Sequence, residues 1–216
     1  MIRKALVLTI AAGALAVAGC TAENPADELV VGSAAARFPS QGIADWVSYA
    51  DHVAYFTVLD ERELPWGEHE QTYGEGMVGR EVTLQFELIL WSRDGAPELA
   101  RELIVSTFGW ALKENERTPF TVQGSPRLEV GDRYLTPWVH TSADGWLPQA
   151  DTAILQVDGS LRAQRHTLNR DSPHDEAINT FVGKSPEEIL DILEVTLPDP
   201  VAEKYLTSGR RSVTRR

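Results

Sequence analysis

Val82-Thr83-Leu84-Gln85-Phe86-Glu87-Leu88-Ile89-Leu90 carries an apolar side chain at every second position, with Thr83, Gln85 and Glu87 between them. Period two is the mark of a strand with one buried and one wetted face, and a strand this long must bend if it is to close a small sheet. Upstream, Val53-Ala54-Tyr55-Phe56-Thr57-Val58-Leu59 is apolar on both faces, as expected of a strand in the middle of a sheet. Leu103 to Phe108 reads as a third strand and Arg133 to Thr141 as a fourth, entered through the turn Gly131-Asp132. Pro137 has no backbone N–H, which confines that position to an edge or a bulge. Ile154-Leu155-Gln156-Val157 and Leu161-Arg162-Ala163 flank Asp158-Gly159, a two-residue hairpin signal.

Helices bracket these strands. Ile43, Trp46, Val47 and Ala50 recur at helical spacing, with Ser40 placed to cap and Asp45 near the positive end. Ser185-Pro186-Glu187-Glu188 is a capping box with proline at the first helical position; Ile189, Ile192 and Leu193 form the stripe behind it, and Pro198 ends it. Asp199-Pro200 starts a further short helix through Leu206. Five to six strands in meander-like order with flanking helices predict a mainly β (α+β) fold, a small OB- or netrin-like β-barrel. The roughly 160 residues between Gln41 and Pro200 suffice for one core without a disulfide.

The N-terminus reads differently. Arg3 and Lys4 precede an apolar run, Ala5 to Ala18, that has signal-peptide length and is too short to span a bilayer of roughly 30 Å as a helix. Val17-Ala18-Gly19-Cys20 resembles the bacterial lipobox, whose cysteine thiol receives diacylglycerol before cleavage. That resemblance implies a signal peptide over residues 1–19 and a lipidated Cys20 on the outer face of the cytoplasmic membrane. Residues 20–40, rich in Ala, Ser, Asp, Glu and Pro apart from Leu29-Val30-Val31, then serve as a tether. A single globular domain follows over 41–207 and a basic tail over 208–216. Helix, "ADHVAYFTVLD", "REVTLQFELILW" and "LEVGDRYLTPWV", in that order, resemble a class of actinobacterial lipoproteins with an OB-like barrel and no assigned activity. The resemblance covers roughly 41–164 and has no catalytic residues to transfer; Trp91-Ser92 stands where such proteins often have a glycine.

Charge and cysteine usage exclude several classes. Removing 1–19 takes away Arg3 and Lys4 and no acids, so 18 basic residues face 32 acidic ones, a net charge of −14. Such a surface repels nucleic acid. Cys20 is the only cysteine, so acylation leaves the domain without disulfide, thiol nucleophile or Cys-ligated metal.

Motifs for chemistry are fragmentary. Gly183-Lys184-Ser185 lacks the earlier glycine of a P-loop, with Ile178 in its place, and fits helix capping. His69-Glu70 lacks the second histidine of a zincin helix, since Tyr73 stands there, and the surrounding Pro65, Gly67, Gly74 and Gly76 favour a solvated loop. Asp151-Thr152-Ala153 matches the aspartic-protease tripeptide in a single copy and reads as a strand-entry turn. His166, Asp171, His174 and Asp175 lie within ten residues and could ligate a metal, although a solvated loop is the simpler reading. Trp66, Trp110 and Trp146 sit in Gly/Pro-bearing loops, where aromatic rings often make contacts.

The expectation is a lipid-anchored, non-catalytic binding or interaction module of the envelope, its partner a protein or a glycan, with no cofactor. An envelope hydrolase working through carboxylate or His/Asp groups is the alternative. Replacing Cys20 by Ala should abolish metabolic lipid labelling and release the protein from the membrane fraction; continued labelling would overturn the anchor.

Overall fold

In the computed structural model, which describes residues 29–33, 38–164 and 175–202, the Val53 to Val58 stretch lies in a strand covered on both faces. The elements run β1 (Val30–Gly32), α1 (Ile43–Tyr49), β2 (His52–Glu63), α2 (Glu68–Tyr73), β3 (Gly76–Ser92), β4 (Glu102–Lys113), β5 (Glu116–Val122), β6 (Arg133–Thr141) and β7 (Gly145–Pro148). A 3-10 turn (Asp151–Ala153), β8 (Leu155–Val157), β9 (Ala163–Gln164), α3 (Glu176–Phe181) and α4 (Pro186–Val195) complete them. One curled sheet holds nine strands in the order β1-β5-β4-β3-β2-β6-β8-β9, with β7 alongside β6. The fold is mainly β, as expected, and among the described residues its pairing is open at β1 and β9.

Alternation along β2 explains its central place. Val53 and Tyr55 face one cluster, together with Trp46 and Val47 of α1, Ala177, Ile178 and Phe181 of α3, and Ile189 and Leu193 of α4. Ala54, Phe56 and Val58 face the concave side, with Val82, Leu84 and Phe86 of β3 and Tyr134 and Trp138 of β6. Trp46, wholly buried, meets the Phe181 ring edge-on at 5.1 Å and donates its indole N–H to the Ser40 carbonyl at 2.9 Å. An aromatic pair of this kind contributes about 1 kcal/mol beyond its area burial.

Several expectations are corrected. Among the described residues the strands number nine rather than five or six, because short or polar segments such as Glu116–Val122 carry little periodicity. Leu88, expected inside, is exposed, and Leu90 packs on the helix side. The register passes from Tyr55↔Leu88 to Phe56↔Phe86, so Glu87 is an extra residue, and a one-residue bulge exchanges the faces beyond it. Ser40 is buried and does not cap α1; the Asp45 carboxylate accepts the Gly42 N–H at 2.9 Å instead. Within the stretch read as a tether, Val30–Gly32 pairs in parallel with Phe120–Val122 of β5. His69-Glu70 lies in helix α2, because Gly67 and Gly74 stand at its ends rather than within it and Gly74 closes it at φ 65°. The Asp158 hairpin has a longer loop than expected, through Arg162: Asp158 Oδ1 accepts the Ser160 and Arg162 N–H groups, and Leu161 rather than Gly159 takes the left-handed conformation, at φ 60°.

Pro137 satisfies its constraint without being at an edge. β8 pairs with β6 up to Leu135 and β7 from Trp138, so the missing N–H falls at the junction of two partners, and the Pro137 carbonyl accepts the Gln149 N–H at 2.8 Å. The α4 capping box forms as expected, Glu188 accepting from the Ser185 N–H at 2.7 Å. Helical backbone begins again at Pro200 and runs to Ala202; its expected continuation to Leu206 lies outside the described residues. No helix among the described residues is long and apolar enough to cross a membrane.

One inward position of β3 carries a charge. Arg80 is wholly buried; its Nε donates to the Phe108 carbonyl at 2.9 Å, one terminal nitrogen to the Leu128 carbonyl at 2.6 Å and the other to the Glu61 carboxylate. Burial lowers its proton affinity and nearby Arg127 adds to that, while Glu61 opposes both. Removing the partner of a buried charge is far costlier than breaking an exposed pair. Glu61→Gln should therefore lose roughly 3 kcal/mol of unfolding free energy in urea titration, and Arg62→Ala, which breaks the exposed pair with Glu81, under about 1 kcal/mol.

Candidate functional site: the cleft between β4 and β7

Curling the sheet brings the outer part of β4 opposite β7 and the 3-10 turn, leaving a cleft of about 730 Å³. Ile104, Val105, Ser106, Thr107 and Phe108 form one wall, and Asp144 and Trp146 to Asp151 form the other. A close backbone approach supports the first wall: a Cβ at Gly109 would stand 2.6 Å from the Val78 carbonyl oxygen, where β3 and β4 shift register between Val78 and Gly79. Only glycine fits there.

Trp146 belongs to β7, opposite His140 of β6, and not to a loop as its flanking glycine suggested. Its ring lies 5.2 Å from His52 and 5.0 Å from His140. His52 is itself fixed: its Nε2 donates to the Pro97 carbonyl at 2.7 Å, which leaves Nδ1 to accept from the Ser92 hydroxyl at 2.8 Å. Buried Asp51 holds the adjoining strand ends, pairing with Arg93 and accepting the His140 backbone N–H at 2.8 Å. Trp146 is thus a half-buried ring on a rigid seat at one end of the cleft.

Asp151 opens the expected strand-entry turn. The Thr136 hydroxyl of β6 donates to the Ala153 carbonyl at 3.2 Å, and Ala153 and Ile154 are buried, so the turn is anchored in the core. The Asp151 side chain is half-buried, and burial raises its pKa above the ordinary 3.8; no ion pair opposes that among the described residues. Asp144 stands exposed in the turn before β7, where its N–H donates to the Thr141 hydroxyl at 3.0 Å.

The other expected aromatics lie apart from this cleft. Trp110 is on β4, not in a loop, with the Arg117 and Arg127 guanidinium carbons each 5.3 Å from its ring. Trp66 is in the loop after β2, as expected, and donates its indole N–H to Glu63 at 2.7 Å; Glu63 in turn pairs with Arg117. These rings serve an intramolecular charge network beside a second hollow of about 470 Å³ that Trp110, Arg127 and Tyr134 help to line.

Asp175, the one metal-ligand candidate among the described residues, is buried and caps α3, accepting the Ile178 N–H at 3.0 Å. His166, Asp171 and His174, like Cys20 with Val17, Ala18 and Gly19 and the 208–216 tail, lie outside the described residues. Among the described residues no three His, Cys, Asp or Glu side chains converge as metal ligands. Sequence reasoning singled out Trp146 and Asp151 separately and missed the β4 wall, whose only signal was its strand alternation. No protein-family model matches the chain, and no curated protein matches it.

An acid whose folded-state pKa lies above its unfolded value binds its proton more tightly when folded, so its carboxylate penalises folding above that range and not below it. Asp151→Asn should therefore raise unfolding stability at pH 7, and the gain should shrink as the pH falls toward about 4. Urea titrations of both proteins across that range measure it; a gain independent of pH would show that Asp151 is not desolvated.

Proposed function

We propose that this is a lipid-anchored extracytoplasmic binding module, held to the outer membrane face through diacylglycerol on Cys20, that receives an envelope ligand in the β4–β7 cleft. The cleft is the observation that carries the reading. Its volume falls within the range of small-molecule sites, and it combines apolar walls with a few polar groups on fixed elements, as such sites do. In this reading the curled sheet works as OB-like barrels do, offering a ligand surface at its opening. The lipobox and the short apolar leader support the anchor, and the acidic surface turns away nucleic acid.

A second reading has one observation in its favour. Asp151 holds its proton more tightly than an ordinary carboxyl and lies in the cleft, as a general acid of an envelope hydrolase would. That reaction also needs a nucleophile or base, and the other carboxylate of the lining, Asp144, is an exposed turn residue. Binding is the better-supported reading.

The test uses full-length protein in a non-ionic detergent, mixed with lipid-extracted envelope. Ile104 is 63% exposed on the β4 wall, so Ile104→Arg obstructs the cleft without touching the core. The wild-type protein should be retained by the envelope fraction, and Ile104→Arg, with unchanged thermal stability, should not. Equal retention of the two would overturn the cleft as the site, and release of new reducing ends or amines from the envelope would favour the hydrolase.

A further inference from the structure

The lining of the cleft also discriminates among ligands, an inference that rests on the reading of the cleft as the binding site. Among the described residues its charged side chains are Asp144 and Asp151, and no described Lys, Arg or His lines it. An anion entering it would meet the Asp151 carboxylate and, among the described residues, no cationic side chain in the lining. Asp151 also borders a small inner hollow shared with Arg80 and Arg127, where the Arg80 guanidinium is held by Glu61 and the Phe108 and Leu128 carbonyls and the terminal nitrogens of Arg127 pair with Glu61 and Glu129. Asp151 has no ion-pair partner among the described residues. The same cleft is lined by the apolar Ile104, Leu147 and Pro148, by the Trp146 ring and by the uncharged polar Ser106, Thr107 and Gln149. Carboxylate, aromatic ring and aliphatic wall together form a receptor for a cation on an apolar stem.

We propose that the cleft binds an aliphatic ammonium ion, its alkyl stem along Ile104, Leu147 and Pro148 and its ammonium head against Trp146 and the Asp151 carboxylate. A neutral ligand of the same shape keeps the apolar contacts and loses the ion pair and the cation–π contact. At a partly exposed site those two are together worth roughly tenfold in affinity.

Three probes of one chain length separate the contributions: pentylammonium, pentanol and pentanoate. Each is titrated into the full-length protein in non-ionic detergent while the indole N–H resonance of Trp146, assigned with Trp146→Phe, is followed by NMR. Pentylammonium should shift it saturably, about tenfold more tightly than pentanol, with no saturable shift from pentanoate. Asp151→Asn should weaken pentylammonium by a similar factor and leave pentanol unchanged. Pentanol or pentanoate binding as tightly as pentylammonium, or an Asp151→Asn variant with undiminished ammonium binding, would overturn the proposal. If that happens while envelope retention still depends on Ile104, only the cation assignment falls; if retention is also independent of Ile104, the cleft is not the site.

Discussion

A buried guanidinium organises the concave side of this sheet. Alternation along β3 places Val78, Arg80, Val82, Leu84 and Phe86 inward, and at Arg80 the position that could have held another aliphatic side chain holds a charge. A buried charge is tolerable only where its donors are engaged, and here they reach three separate stretches: Glu61 on β2, Phe108 on β4 and Leu128 before β6. The requirement is directional, unlike apolar packing. It fixes how far the β4 edge curls and where the segment leading into β6 crosses the open side.

The cleft follows from that curl. Phe108, whose carbonyl Arg80 holds, lies in the β4 wall, and the Gly109 backbone can approach β3 only because it has no Cβ. The facing wall is set by a different device, the division of the β6 edge between β7 and β8 around Pro137. That division leaves room for the turn that carries Asp151, a carboxyl kept half-buried without a cation among the described residues. Desolvated groups of this kind cost stability, and they cluster at functional sites.

Tryptophan shows how far residue type alone can mislead. Trp46 and Trp138 are wholly buried core, Trp110 has two arginine guanidiniums over its ring, and Trp66 is tied to Glu63. Only Trp146 lines the cleft opposite β4, on a strand of four residues whose flanking turn made it look like a loop. All have the same large apolar body and polar N–H; partner supply decides their role.

The chain by itself determined what depends on neighbours in sequence. The α4 capping box, the helical stripe around Trp46, the two-faced burial of Val53 to Val58 and the turn at Asp151 are local consequences of spacing and side-chain chemistry, and the charge balance and single cysteine bounded function before any fold was considered. The tertiary structure alone decided what depends on register and on contacts distant in sequence. Extra residues at Glu87 and at Leu90 itself set which faces Leu88 and Leu90 occupy, a difference no period-two pattern can encode. Val30–Gly32, apolar but too short to declare itself, becomes a strand because β5 offers it an open edge. The cleft exists because Ile104 to Phe108 and Asp144 to Asp151, some forty residues apart, are brought face to face by the curl. Its chemistry is therefore a property of the sheet rather than of any motif.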